Sequence, residues 1–253
     1  MADVEVISYT DPACPWSWAA EPVLARLRSE FAAGVAITYV MGGLAREVTD
    51  PHEILLDGLD AAAGSGMPVD PRGWAGRQGR PPRSTYPACL AVNAAAEQQL
   101  DGALLRVLRE GFWLRRLALD TPDALEAAAA AVAGLDRAAF AIALRSSAIA
   151  EAFGADLERA RGVRLPTFEV AGARVGPDGL RDAVLAAGAT PGPLPDPERA
   201  LALLGAATTA EVAAATGLPY ARAAARLWAL AGELAVRPER VGLADGVLWH
   251  QEA

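Results

Sequence analysis

The stretch YTDPACPWSW, residues 9–18, sets a cysteine at the start of a helix directly behind a strand, and its reading decides the fold. The segment VEVISY, residues 4–9, is short, alternating and rich in β-branched residues, which predicts a strand that Asp11-Pro12 ends. Pro15 suits the first turn of a helix, where its missing N–H would lack a partner anyway. Val23, Leu24, Leu27 and Phe31 continue that helix as an apolar stripe. Pro22 should kink it or shift its start. Residues 35–43, VAITYVMGG, read as a second strand, so the chain opens β-α-β, the unit that implies a right-handed crossover and a parallel sheet.

From Pro51 to about Gly162 the pattern changes to helices separated by Gly and Pro breaks, with helical stretches near 87–100, 102–118, 122–133 and 136–160. This is an inserted helical block. Behind it, RLPTFEVAGARVG (164–176) reads as two short strands around a glycine turn, and PDGLRDAVLAAG (177–188) as a helix. The strands on either side of the insertion need each other to make a sheet. Residues 189–197, ATPGPLPDP, hold four prolines and a glycine, which predicts a stiff linker and a domain boundary. In 198–253 two helical segments flank ATGLP, and AVRPERVGLADGVLWH suits two strands around an Asp-Gly turn. That order resembles a winged helix-turn-helix, expected to stand as a separate unit.

Composition narrows the function. The 253 residues are 53% apolar with a formal charge of -8, two histidines and 23 cations that are all arginine, none in a basic run. Strong attraction to nucleic acid or to an anionic membrane has no electrostatic basis here. No apolar segment is long enough to span a bilayer, and MADVEVISYTDP is acidic where a signal peptide needs a basic flank, so a cytoplasmic, reducing compartment is expected. Cys14 and Cys89 are the only cysteines, which excludes a disulfide scaffold. His52 and His250 are isolated and suggest no metal site. Arg72, Arg77, Arg80 and Arg83 lie in one Gly/Pro-rich loop, either solvated or holding the carboxylates of a thiol tripeptide or an acidic partner. The segment 198–253 contains five Arg and six Asp/Glu, with Arg222 and Arg226 alone among alanines on the second helix. So thin a phosphate footprint favours packing, dimerisation or partner docking over DNA.

A thiol at a helix start meets unpaired backbone N–H groups and the positive end of the helix dipole. Cys14 is therefore expected to be acidic for a cysteine, opposed by Asp11 and Glu21 if those point inward. Ser17 stands where a C-x-x-C motif would place its second cysteine, and a hydroxyl cannot close a disulfide. Ser17 either donates a hydrogen bond to the thiolate or packs, and Trp16 and Trp18 form either a lip or core. In VRLPTFEV, Pro166 opens a strand after a long insertion, where an X–Pro bond adopts the cis form for only about 0.5–1 kcal/mol.

Taken together, DPACPWSW, the helical insertion and LPTFEV resemble the DsbA-like branch of the thioredoxin fold. MGGL (41–44) and STYPACLAV (84–92) are similar to its FrnE-type and hydroxychromene-carboxylate-isomerase-type members. The resemblance covers about residues 3–188. It implies an α/β thioredoxin-like fold with a large helical insertion (about 51–162); the linker 189–197 and the small winged-helix-like unit 198–253 lie beyond it. It also implies Cys14 as nucleophile, with Ser17 beside it, a cis-proline at Pro166 facing it, and Pro15, Trp16, Leu165 and Thr167 at the docking edge. Ser17 departs from the family's dithiol and leaves monothiol exchange, resolved by a glutathione-like thiol, another protein or Cys89. Relatives that activate glutathione itself carry serine where this chain has Cys14, which counts against that chemistry here. No metal, flavin or nucleotide is implied. The alternative from another class is a non-catalytic adapter on the same scaffold; a third is a redox-responsive DNA-binding regulator.

Overall fold

The computed structural model describes residues 4–76, 80–242 and 246–252. Strand β1 (Val4–Thr10) lies inside a four-stranded sheet of order β2-β1-β3-β4. Strand β2 (Val35–Met41) runs parallel to β1, Val4 opposite Val35, while β3 (Thr167–Val170) runs antiparallel, Val6 opposite Val170. Strand β4 (Ala173–Val175) completes the hairpin at the edge. The segments on either side of the insertion thus share one sheet.

The helix after β1 is two helices, α1 (Pro15–Ala19) and α2 (Glu21–Phe31), because Pro22 occupies the first turn of a restarted helix. Leu24, Leu27 and Phe31 of α2 pack with Val4, Val6, Phe168 and Val170 of the sheet, and with Leu180 and Val184 of α9 (Leu180–Ala186).

The insertion contains α3 (Pro51–Ser65), α4 (Tyr86–Ala96), α5 (Asp101–Trp113), α6 (Pro122–Ala129), α7 (Arg137–Leu144) and α8 (Ser147–Arg159). Helix α3 lies outside the helical stretches named from the sequence. It begins where the Asp50 carboxylate accepts from the His52 and Glu53 N–H groups ahead of Pro51. The single helix expected over 136–160 breaks by 66° between α7 and α8, because Ser146 caps a new helix by accepting from Ile149 N–H at 3.2 Å. Trp18, Met41, Trp74, Leu108, Phe112 and Trp113 belong to the core between insertion and sheet. Among the described residues no single helix is long and apolar enough to cross a membrane.

Beyond the linker come α10 (Pro197–Leu204), β5 (Ala207–Thr208), α11 (Thr209–Thr216), α12 (Tyr220–Gly232), β6 (Val236–Arg240) and β7 (Val247–Gln251), the strands ordered β5-β7-β6. Of the Asp-Gly turn expected between the last two, Asp245 lies outside the described residues. This segment does not stand apart, which corrects the expectation of a separate unit behind a stiff linker. Ala25 of α2 shares one core with Val212, Ala215, Leu227 and Trp249. Arg106 of α5 pairs with Glu211, and Arg115 with Glu239 at 2.7 Å. Gly192 N–H donates to the Glu30 carbonyl at 2.6 Å, so the linker itself is tied to the end of α2. The physical reason is that α2 is packed on two sides: the sheet covers Leu24, Leu27 and Phe31, and α11 lies against the small Ala25.

Candidate active site around Cys14

Past the end of β1 the chain turns, and Cys14 N–H donates to the Asp11 carbonyl at 3.2 Å. Cys14 is the extended residue (φ -69°, ψ 119°) immediately ahead of α1, with Pro15 in its first turn. Its side chain makes no capping bond. Its Sγ lies 3.8 Å from the Leu165 carbonyl oxygen, next to the cis bond between Leu165 and Pro166. Gly42 permits this approach, since a Cβ there would meet Leu165 Cδ2 at 2.7 Å. Thr167 fixes the same loop by donating from Oγ1 to the Arg164 carbonyl at 2.6 Å, so its hydroxyl serves the loop. Ser17 is buried and its Oγ has no hydrogen-bond partner. The two tryptophans divide. Trp16 is 40% exposed beside the thiol, whereas Trp18 is buried, donates from Nε1 to the Pro68 carbonyl at 2.9 Å and lies beneath the Arg106 guanidinium.

Asp11, which sequence reasoning treated only as a neighbouring charge, organises the site. It is fully buried. Its Oδ1 accepts from Ala13 N–H at 2.7 Å, and its Oδ2 from Leu44 N–H at 2.7 Å, Thr85 Oγ1 at 2.8 Å and Cys89 Sγ at 3.2 Å. The phrases MGGL and STYPACLAV therefore converge on one carboxylate: the first supplies the Leu44 amide, the second the Thr85 hydroxyl and the Cys89 thiol. Glu21 also points inward. It pairs with Arg109 of α5, which in turn donates to Thr10 Oγ1. Arg28 and Arg106 each stand 3.7 Å from the other Glu21 oxygen, and Glu21 is held below its ordinary value despite burial, by Arg109, Arg106 and Arg28.

These placements correct two expectations. Burial pushes the Cys14 thiol above its ordinary value, and the Asp11 charge adds to the rise; the Ser17 hydroxyl and the Ser17 and Trp16 N–H groups favour the thiolate without reversing it. The helix start is real, but a thiol that is 1% exposed gains less from it than it loses in hydration. Cys89 is raised further, by burial and then by Asp11. It is a protonated donor to Asp11, whereas a resolving thiol must attack as thiolate.

Two grooves meet beside Cys14. One, about 430 Å³, is lined by Cys14, Pro15, Trp16, the Gly42–Ala45 loop and the start of α3. The other, about 750 Å³, is lined by Trp16, Ala19, Pro22, Val23, Pro166 and Pro177. Trp16, Arg164 and Leu165 belong to both. Among the described residues, the arginine loop does not line either groove. Arg72 is paired with Asp70, Arg80 with Asp120, and Arg83 donates its backbone N–H to Asp120 at 2.7 Å; Arg77 lies outside the described residues. The Arg226 guanidinium approaches Glu233 at 3.5 Å, and His250 faces Glu239 at 2.9 Å.

Comparison with known proteins follows the same outline. A thioredoxin family model matches residues 7–169. The ClpXP adapter protein SpxH of Halalkalibacterium halodurans is 27% identical over 193 residues, 70% of this chain and 62% of that protein. This chain thus spans about six-tenths of the length of the curated relatives it matches. The cytosolic disulfide reductase DsbM of Pseudomonas aeruginosa, solved also with GSH, shares the fold at a TM-score of 0.58 and 20% identity, covering 72% of this chain and 97% of that one. A 2-hydroxychromene-2-carboxylate isomerase shares it at 0.52 and 22%, covering 73% and 94%.

Proposed function

The chain belongs to the thioredoxin family, and on that premise we propose that it catalyses thiol–disulfide exchange through the single sulfur of Cys14. The observation that carries this reading is the position of that sulfur, 3.8 Å from the Leu165 carbonyl, where two grooves meet. Cys14 gives its proton to solvent, and its thiolate attacks one sulfur of a substrate disulfide. The S–S bond breaks, one half departs as a thiolate, and the other half is bonded to Cys14. A second thiolate then attacks the substrate sulfur of this mixed disulfide and returns Cys14 as thiolate. Electrons balance between incoming and departing sulfurs, and the protein is unchanged. Ser17 takes no part in bond making; its unpartnered hydroxyl is available to the thiolate. Pro15, Trp16, Leu165 and Pro166 form the docking edge. The second thiol is a protein or a low-molecular-weight thiol, and a reducing, cytoplasmic setting suits a site that has no disulfide of its own to donate.

The test is a mixed-disulfide trap. Native Cys89→Ser protein incubated with 2-hydroxyethyl disulfide at pH 8.5 is expected to gain one adduct on Cys14, seen by intact mass and removed by a second thiol. Adduct formation only after denaturation would overturn exchange.

One observation favours a second reading, in which the scaffold is a protein-binding adapter. The thiol is 1% exposed with its pKa raised, and the relative SpxH is an adapter. The segment 198–253, which we read as winged-helix-like, would then serve a protein partner in preference to DNA. Function retained in Cys14→Ser would favour this reading.

A further inference from the structure

The groove that reaches Cys14 carries a charge that the exchange reading does not require. Its wall is lined by Glu47, Asp50, Glu53 and Asp57, against one cation, Arg164. All four carboxylates are exposed. Glu53 and Asp57 lie one turn apart on α3 and so share a face, and the Asp50 carboxylate caps the same helix. No ion pair neutralises any of the four among the described residues; of the neighbouring loop, Arg72 is committed to Asp70 and Arg80 to Asp120. A groove lined by one sign of charge concentrates ligands of the opposite sign. Glutathione, a net anion at neutral pH, is thus the wrong charge for this approach. Across Trp16 and Leu165, the second groove is apolar through Ala19, Pro22, Val23, Pro166 and Pro177.

Resting on the exchange reading above, we propose that the substrate sulfur of Cys14 belongs to a polypeptide whose cysteine is flanked by basic residues, which lie along the Glu47–Asp57 wall. Asp50, Glu53 and Asp57 are specificity residues; they touch no reacting atom.

The test measures the rate of adduct formation on Cys14 with three symmetric disulfides: cystamine (dication), 2-hydroxyethyl disulfide (neutral) and dithiodiglycolate (dianion). Each rate is normalised to the neutral reagent. At low ionic strength the cation is expected to react at least about tenfold faster than the anion, and the preference to shrink several-fold in 0.5 M salt. In Glu53→Gln/Asp57→Asn the ratio is expected to fall to a third or less of its starting value. A control, Glu198→Gln/Glu233→Gln, changes the net charge equally in the C-terminal segment and is expected to keep the ratio. A ratio near one, or one that the groove variant leaves intact, overturns the proposal while exchange stands. No adduct with the neutral reagent overturns exchange itself.

Discussion

Replacing Asp11 by Asn removes the charge closest in sequence to Cys14 and keeps the side chain's shape. The turn that joins Cys14 N–H to the Asp11 carbonyl holds the two Cα atoms within about 7 Å. For side-chain charges spaced on the same scale, an effective dielectric of about 20 makes a unit charge worth about 2 kcal/mol, or on the order of 1.5 pH units. Burial raises Asp11 itself, and its charge is among the causes that hold the Cys14 thiol up. The Asn variant should therefore have a Cys14 pKa about one unit or more below that of the parent. The assay is the pH dependence of iodoacetamide alkylation at Cys14, read by mass in a Cys89→Ser background, with urea unfolding run in parallel. The amide nitrogen cannot accept from both Leu44 N–H and Thr85 Oγ1, so stability should fall by about 1–3 kcal/mol. A pKa unchanged or raised in a folded Asn variant would refute the assignment of Asp11 as the charge that restrains the thiol.

Two other outcomes follow from the buried groups. Arg109→Met should destabilise by about 3 kcal/mol in urea titration, since it strands Glu21 in the interior with only the more distant Arg28 and Arg106 for company. The charge-free pair Glu21→Gln/Arg109→Met should lose less than the single change, and a loss below about 1 kcal/mol for Arg109→Met would contradict the ion pair's role. In alkali, both native thiols hold their protons above the pH at which unfolded cysteine ionises, about 8.5. The native state then binds more protons than the unfolded one, so stability falls as pH rises from about 8.5 toward the native values, by up to about 1.4 kcal/mol per pH unit for each thiol. Cys89→Ser should flatten that decline, and equal slopes in parent and variant between pH 8 and 10 would rule it out.

What could be read from the sequence was local. The alternation of VEVISY, the stripe from Val23 to Phe31 and the glycine turn at Gly172 each specify an element through neighbours a few residues away, and all three elements form. Ser17 was equally legible, because the absence of a second sulfur is a matter of composition. Asp11 was not, because its partners lie 33, 74 and 78 residues away and nothing in a linear spacing brings Leu44, Thr85 and Cys89 to one carboxylate. The acidity expected of Cys14 failed for the same reason: a helix start is visible in sequence, the depth at which it is buried is not. The prolines of 189–197 read as a stiff linker and boundary; in the structure Pro197 opens α10, and whether the segment beyond stands apart depends on the outer face of α2, where Ala25 alone signals close packing.

The pairing of Val6 with Val170 also carries a consequence for how the molecule is made. On a ribosome adding about 5–20 residues per second, β3, the antiparallel partner of β1, arrives roughly 10–30 s after β1 itself. Throughout that interval the newborn chain carries Cys14 without the Leu165 carbonyl that later lies against it, and carries α2 without the Val212 and Ala215 that later cover it. The thiol that is among the most sheltered groups of the finished protein is therefore among the barest of the nascent one, and it is covered only once synthesis has passed Leu165.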